Sequence, residues 1–176
     1  MGLGREWLMA RITFKNQSAY FLRLQALESR FAKESTIEKA VYAGSAIVAD
    51  AIRENLEALP EEQFRLLDTF WGDFFSEVPT GQKKDLIDSF GLTPIERDKN
   101  GFVYTKAGFD GYGSFPTNTY PYGVPNALIA RAVESGSSIR DKTPFVRPAV
   151  NATRKDAIAA MEEVVDDELK KIFNGG

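Results

Sequence analysis

Two prolines near the end of the chain restrict the fold more than any other local feature. Pro144 and Pro148 enclose the tripeptide Phe145–Arg147. Proline fixes its own φ and disfavours the helical region for the residue before it. We therefore predict that Thr143–Pro148 is a semi-rigid, extended strap that leads into the helix after it. Phe145 is expected to anchor the strap against the sheet or a long helix.

Apolar residues at three- and four-residue steps predict two long amphipathic helices. The first begins at a capping box formed by Ser35 and Glu38, and it ends near Leu59 because Pro60 follows. The second covers Arg154–Phe173, where apolar residues again recur on one face.

Shorter helical stretches are predicted at Asn16–Ser29 and Glu61–Phe75, and a short helix or turn is predicted at Thr80–Ser89. The stretch Glu61–Phe75 carries five aromatic residues, which are too many to leave in water. We therefore expect this stretch to pack on the domain or on a neighbour.

Strands are predicted in three places. Ala10–Phe14 alternates as an edge strand or arm, and Thr93–Arg97 with Phe102–Phe109 flanks a turn signal at Asn100–Gly101. The apolar run Ala127–Val133 is predicted as the third strand. The order of elements predicts a single-domain α+β fold in which a small antiparallel sheet packs against long amphipathic helices.

The segment Asp110–Gly123 is predicted to be a long functional loop. It is rich in glycine, proline, asparagine and serine and has little periodicity. Its aromatic residues are suited to capture at an interface, and they are Tyr112, Phe115, Tyr120 and Tyr122. We expect the loop to be mobile in the free protein and ordered in an assembly.

Composition argues against an enzyme. The 176 residues include no cysteine and no histidine, which removes thiolate chemistry and the commonest general base and metal ligand. Gly111–Gly113 lacks the third glycine of a phosphate loop, and Ser137, Ser138 and Lys142 lack the spacing of a Ser/Lys dyad. Asp85 with Asp88, and Asp73 with Glu77, are expected to be solvated pairs. We predict no catalytic residue, cofactor or metal, and no membrane span, since no apolar run approaches about 20 residues.

Charge is distributed unevenly along the last third of the chain, although the whole molecule carries only −3. Residues 131–155 hold six basic and two acidic residues, and residues 156–176 hold six acidic and two basic ones. Such poles suit head-to-tail contact between identical subunits, although both could be solvated faces or the basic one could line a DNA channel. The candidate interface residues in this region are Arg131, Glu134, Arg140, Lys142, Phe145 and Arg147. An alternative to the interface role of Arg147 is a salt bridge within the subunit to a carboxylate on the terminal helix.

Three segments, in order, resemble a family of small phage structural proteins, typified by the tenth gene product of a lambdoid phage. Pro79–Ser89 resembles the family's Pro/Thr-Gly signature after its long helix, and Ala130–Ser137 resembles a strand ending in Val-Glu-x-Gly. Lys142–Ala149 is similar to the family's Pro-Phe-Leu-Arg-Pro-Ala strap. The resemblance covers roughly Ser35–Phe173, with a helical insertion at about 60–78. Residues 1–8 are expected to be a disordered extension, since Met9 is an alternative start.

The resemblance implies a structural virion protein for tail completion or head-to-tail joining in the neck of a tailed phage. It implies a ring of this subunit, most often six-fold, placed between the head connector or stopper and the tail tube or terminator, with DNA passing through. The protein would reside in the host cytoplasm before assembly and remain mostly monomeric there. The alternatives are a tail terminator and, more remotely, a soluble adaptor or a carboxylate-based hydrolase.

Overall fold

The computed structural model describes residues 10–11, 30–60, 81–114, 116–138 and 140–174. This part of the chain has an α+β fold, as predicted, with small antiparallel sheets packed against helices. The elements in chain order are β1 (Ala10–Arg11), α1 (Arg30–Ala58), α2 (Gln82–Ser89), β2 (Phe90–Leu92), β3 (Glu96–Arg97), β4 (Val103–Tyr104), β5 (Lys106–Phe109), α3 (Asn126–Ser135) and α4 (Val146–Asn174).

The two long helices, α1 and α4, form an antiparallel pair. Ala40 in the first half of α1 packs with Val165 and Leu169 near the end of α4. Close packing midway along the pair depends on Gly44. A Cβ atom built there would lie 2.7 Å from Met161 Cγ and 2.9 Å from the Ala157 backbone oxygen. Glycine at this position therefore allows the two helices to approach each other closely.

A three-stranded antiparallel sheet in the order β1-β5-β2 lies beside the helix pair. Phe90 on β2 is paired with Phe109 on β5, and their ring centroids are 5.1 Å apart. Phe145 packs on Phe109 with a centroid distance of 6.0 Å and nearly perpendicular rings. It is 1% exposed, which confirms the prediction that Phe145 anchors the segment after Pro144. The main core lies between the sheet, the second half of α1, α2, α3 and the first half of α4.

The predicted turn at Asn100–Gly101 is present, but its geometry differs from the prediction. The turn joins β3 to β4, and only Gly101 has a positive φ, +82°. The Asp98 side chain accepts hydrogen bonds from the backbone N–H groups of Asn100 and Phe102. An aspartate that bonds to the backbone beyond it favours this longer loop over a two-residue turn.

The prediction of a third strand at Ala127–Val133 is wrong, because these residues lie in α3. An uninterrupted apolar run is compatible with a buried strand or a buried helix, and periodicity alone does not separate them. The buried residues follow a helical spacing rather than alternation, and they are Asn126, Ala127, Ile129, Ala130 and Val133. The segment that resembles the family's strand therefore begins as a helix in this chain.

Both long helices begin earlier than predicted. α1 starts at Arg30, so Ser35 and Glu38 lie inside it and do not form its N-terminal cap. α4 starts at Val146 instead of Arg154, which limits the extended strap to the residues before it. Pro148 is compatible with this start because N–H groups in the first helical turn have no acceptor within the helix. The predicted end of α1 is confirmed at Ala58.

Several predictions fall outside the described residues. These are the helical stretches Asn16–Ser29 and Glu61–Phe75, the extension at residues 1–8, and the insertion at 60–78 apart from Pro60. The predicted strand Ala10–Phe14 is described only at Ala10–Arg11. These two residues pair with β5 at one side of the sheet, as an edge strand would.

We predict that Gly44→Ala lowers the free energy of unfolding by about 1–3 kcal/mol, the usual cost of overpacking. Alanine favours a helix by up to about 1 kcal/mol over glycine, so any loss reflects the blocked contact with α4. The matched control is Gly91→Ala, since a Cβ atom at Gly91 would have no neighbour within 4 Å. Urea unfolding measures both changes. Equal stabilities for the two variants would contradict a close approach at Gly44.

Candidate interaction surface

The loop Asp110–Gly123, called the tyrosine loop below, is held at its base by the first residue of α3. The Asn126 side chain donates to the Asp110 carbonyl at 2.9 Å, and its backbone N–H donates to the Gly111 carbonyl at 3.1 Å. Gly113 N–H donates to the Val124 carbonyl at 2.8 Å and closes the loop from the inside. These bonds give a loop with few apolar contacts a defined base.

A second attachment joins the tyrosine loop to α2. The Asp85 carboxylate accepts from the backbone N–H and from the hydroxyl of Ser114, both at 2.7 Å. Asp85, weighed above as half of an acid pair with Asp88, therefore positions the loop. Gly123 is required as well, because its φ is +102° and a Cβ atom there would lie 2.0 Å from the Gly113 carbonyl oxygen.

On this base, the tyrosine loop exposes its aromatic side chains. Tyr122 is 90% exposed, Tyr112 is 62% exposed and Tyr120 is 36% exposed. None of their hydroxyl groups makes a hydrogen bond within the described part of the chain. Phe115, the fourth predicted aromatic residue, lies outside the described residues. Exposed tyrosines on an anchored loop are typical of interface hot spots, since they bury a large area at low entropic cost.

Glu134 has a structural role that the sequence did not indicate. Its carboxylate accepts backbone N–H bonds from Phe145 at 2.7 Å, Val146 at 2.8 Å and Arg147 at 3.1 Å. The N-terminus of α4 thus has its cap supplied by a side chain of α3. The capping residue lies twelve positions before the helix start, so no local motif would reveal it.

Phe145 and Arg140 also act within the subunit. Asn55 on α1 donates to the Phe145 carbonyl at 3.0 Å. Arg140 is 4% exposed, and its Nη2 donates to Gln82 at 2.6 Å. Burial lowers the pKa of the Arg140 guanidinium, and Nη1 has no acceptor among the described residues. Both residues are buried in the subunit, so neither is presented at its surface for a direct contact with a neighbour.

The other three basic residues proposed for the interface are exposed. Arg131 lies on α3, Lys142 lies in the segment before α4, and Arg147 lies in the first turn of α4. Among the described residues, no carboxylate forms an ion pair with any of these side chains. The internal salt bridge considered for Arg147 is therefore not formed with the described residues of the terminal helix.

A groove of about 480 Å³ lies between α1 and the outer side of β2. Arg53 crosses it and donates to the carbonyls of Ile87 and Phe90, with its guanidinium 5.5 Å from the Phe90 ring centre. Part of the exposed edge of β2 is thereby satisfied within the subunit. Tyr42 also lines the groove, and it is 61% exposed.

In the part of the chain that the structure describes, no group of acidic residues is arranged to hold a metal ion. No described helix has both the length and the hydropathy of a membrane span. Comparison with protein-family models, with curated proteins and with solved structures finds no match to this chain.

We predict that Gly123→Ala loosens the tyrosine loop. The substitution combines a strained positive φ with a steric clash against Gly113, which costs about 1–3 kcal/mol. Amide hydrogen exchange at Gly113 and Asn126 should accelerate by about tenfold or more. The control is Gly111→Ala, which also has a positive φ, +69°, but has open space around its Cβ position. The same acceleration in both variants would show that the contact with Gly113 contributes nothing.

A second prediction concerns the cap on α4. Glu134→Ala should lower the free energy of unfolding by about 2 kcal/mol or more, because three N–H groups lose a charged acceptor. Glu134→Gln should cost less, since one amide oxygen can still accept. Glu163→Ala serves as the control, because Glu163 is exposed and has no ion-pair partner among the described residues. Denaturant unfolding measures the free energy of unfolding of each variant. A Glu134→Ala variant as stable as the wild type would refute the capping role.

Proposed function

We propose that this protein is a structural virion subunit that forms a ring in the neck of a tailed phage and joins head to tail. The observation that carries the proposal is the tyrosine loop, a surface element anchored at Asn126 and Asp85 whose tyrosines remain exposed. The ordered resemblance of the segments around Gly81 and Phe145 to tail-completion proteins supports the same function. The middle segment supports it less, since it begins in a helix where the family has a strand.

In this proposal the tyrosine loop contacts the next ring of the neck. A tyrosine side chain brings a large apolar surface and one hydroxyl, and it loses little conformational freedom on binding. Tyr112 and Tyr122 are the most exposed of the loop's described tyrosines, so they gain most from burial. Their partner is the head connector or stopper on one side, or the tail tube on the other.

The proposal also explains why the subunit would stay monomeric until its neighbours are present. A single loop with three exposed tyrosines buries less area than a stable dimer interface requires. Contacts from several subunits to one neighbouring ring act together, and their combined affinity exceeds that of any one contact. Ring formation, six-fold by resemblance, would therefore follow from arrival at the neck.

The experiment is to locate the protein in virions and to test the loop by mutation. We expect labelled antibody to bind at the junction between head and tail. The double variant Tyr112→Ala/Tyr122→Ala should fold normally but reduce joined particles by about thirtyfold or more, the effect of one lost hot spot. Tyr42→Ala, which alters an exposed tyrosine on another surface, should join normally. Virions that lack the protein, or normal joining by the double variant, would refute the proposal.

A further inference from the structure

Two sets of exposed residues lie on opposite sides of α4, with Lys155 and Glu162 between them. Arg147, Asn151, Arg154 and Ile158 are exposed and lie within about 60° of one another on an ideal helix of 3.6 residues per turn. We call this set the basic face. Its isoleucine is 39% exposed and is one of the few large apolar side chains left at the surface of the described chain.

A second set lies on the other side of the same helix. Asp156, Glu163 and Asp167 are exposed and lie within about 40° of one another, roughly 180° from the basic face. We call this set the acidic face. Asp167 is paired with Lys170 at 3.1 Å and, together with the nearby charge of Glu163, raises the pKa of that lysine, whereas Asp156 makes no ion pair with the described residues.

Three of these charged side chains, those of Arg147, Arg154 and Asp156, make no ion pair with the described residues of the subunit. Arg147 and Arg154 have no side-chain hydrogen bond or ion pair within the described chain. Arg147 also sits in the first turn of α4, where the helix dipole disfavours a cation and where the turn itself holds no acidic residue. By contrast, hydrogen bonds from Lys171 and Lys39 hold Glu168 and lower its pKa. The unpaired charges therefore contribute little to the stability of the subunit.

We propose that the basic face of one copy binds the acidic face of a second copy. The faces are opposite in charge, and the basic one adds an apolar contact through Ile158. Because two different surfaces meet, the contact is heterologous and can close into a ring. A single basic face meeting itself would instead repel.

The contact is expected to be weak. Each exposed ion pair strengthens binding by about fivefold at most, and salt screens it. Copies of this chain therefore associate only at high concentration and low salt, or where neighbouring rings hold them side by side. The presence of neighbouring rings rests on the proposed function, whereas the pairing of the two faces does not.

The test uses two charge-reversed variants of the full chain. Arg147→Glu/Arg154→Glu makes both faces acidic, and Asp156→Lys/Glu163→Lys makes both faces basic. We expect wild-type protein to self-associate at high concentration and low salt in sedimentation velocity, and each variant alone to stay monomeric. An equimolar mixture of the variants should associate at least as strongly as the wild type, because acidic faces now meet basic faces throughout.

The control is Glu54→Lys/Glu57→Lys, which makes the same charge change as the second variant at exposed positions of α1 that form no ion pair with the described residues. This control should associate as the wild type does, because both of its α4 faces are intact. A monomeric mixture, or wild-type protein that stays monomeric up to its solubility limit, would overturn the proposal. If the mixture associates but the protein is absent from virions, the pairing of the two faces stands and only the proposed function in the neck is refuted.

Discussion

The carboxylate of Glu134 is the interaction on which the rest of this structure depends. It joins the end of α3 to the start of α4 by accepting three backbone N–H groups that would otherwise lack an acceptor. One end of α3 thereby sets the start of the long helix that packs on α1. The other end of α3 holds the tyrosine loop through Asn126. Core packing and the candidate surface are thus connected through one ten-residue helix.

The packed helices and sheet form a rigid frame, and several polar and aromatic side chains on its surface make no contact with the described residues that stabilises the subunit. Close packing at Gly44 and the aromatic contact between Phe109 and Phe145 stabilise the frame. The exposed tyrosines and the unpaired charges of α4 add little to that stability, and exposed aromatic side chains carry a cost in water. Weak contacts of this kind become effective when many copies act at once, which is the situation in a ring.

Sequence patterns predicted the elements whose periodicity is long and clean. The end of α1 before Pro60, the short helix before Gly91 and the anchoring of Phe145 were predicted from residues close in sequence. The start of α4 was not, because its cap comes from α3. The prediction of a strand at Ala127–Val133 was wrong for a related reason. An apolar run indicates that a segment is buried, but it does not show whether the surrounding elements accept a helix or a strand.

The sequence by itself determined the α+β class, the positions of most elements and the absence of cysteine and histidine chemistry, since these follow from composition and local spacing. It also determined that the loop after Phe109 would be rich in tyrosine. Only the tertiary structure decided which charged residues are available at the surface. Glu134 and Arg140 are engaged inside the subunit, whereas the Arg147 side chain forms no ion pair with the described residues. The sequence could not show this difference, because contacts between residues 11 to 58 positions apart have no local signature.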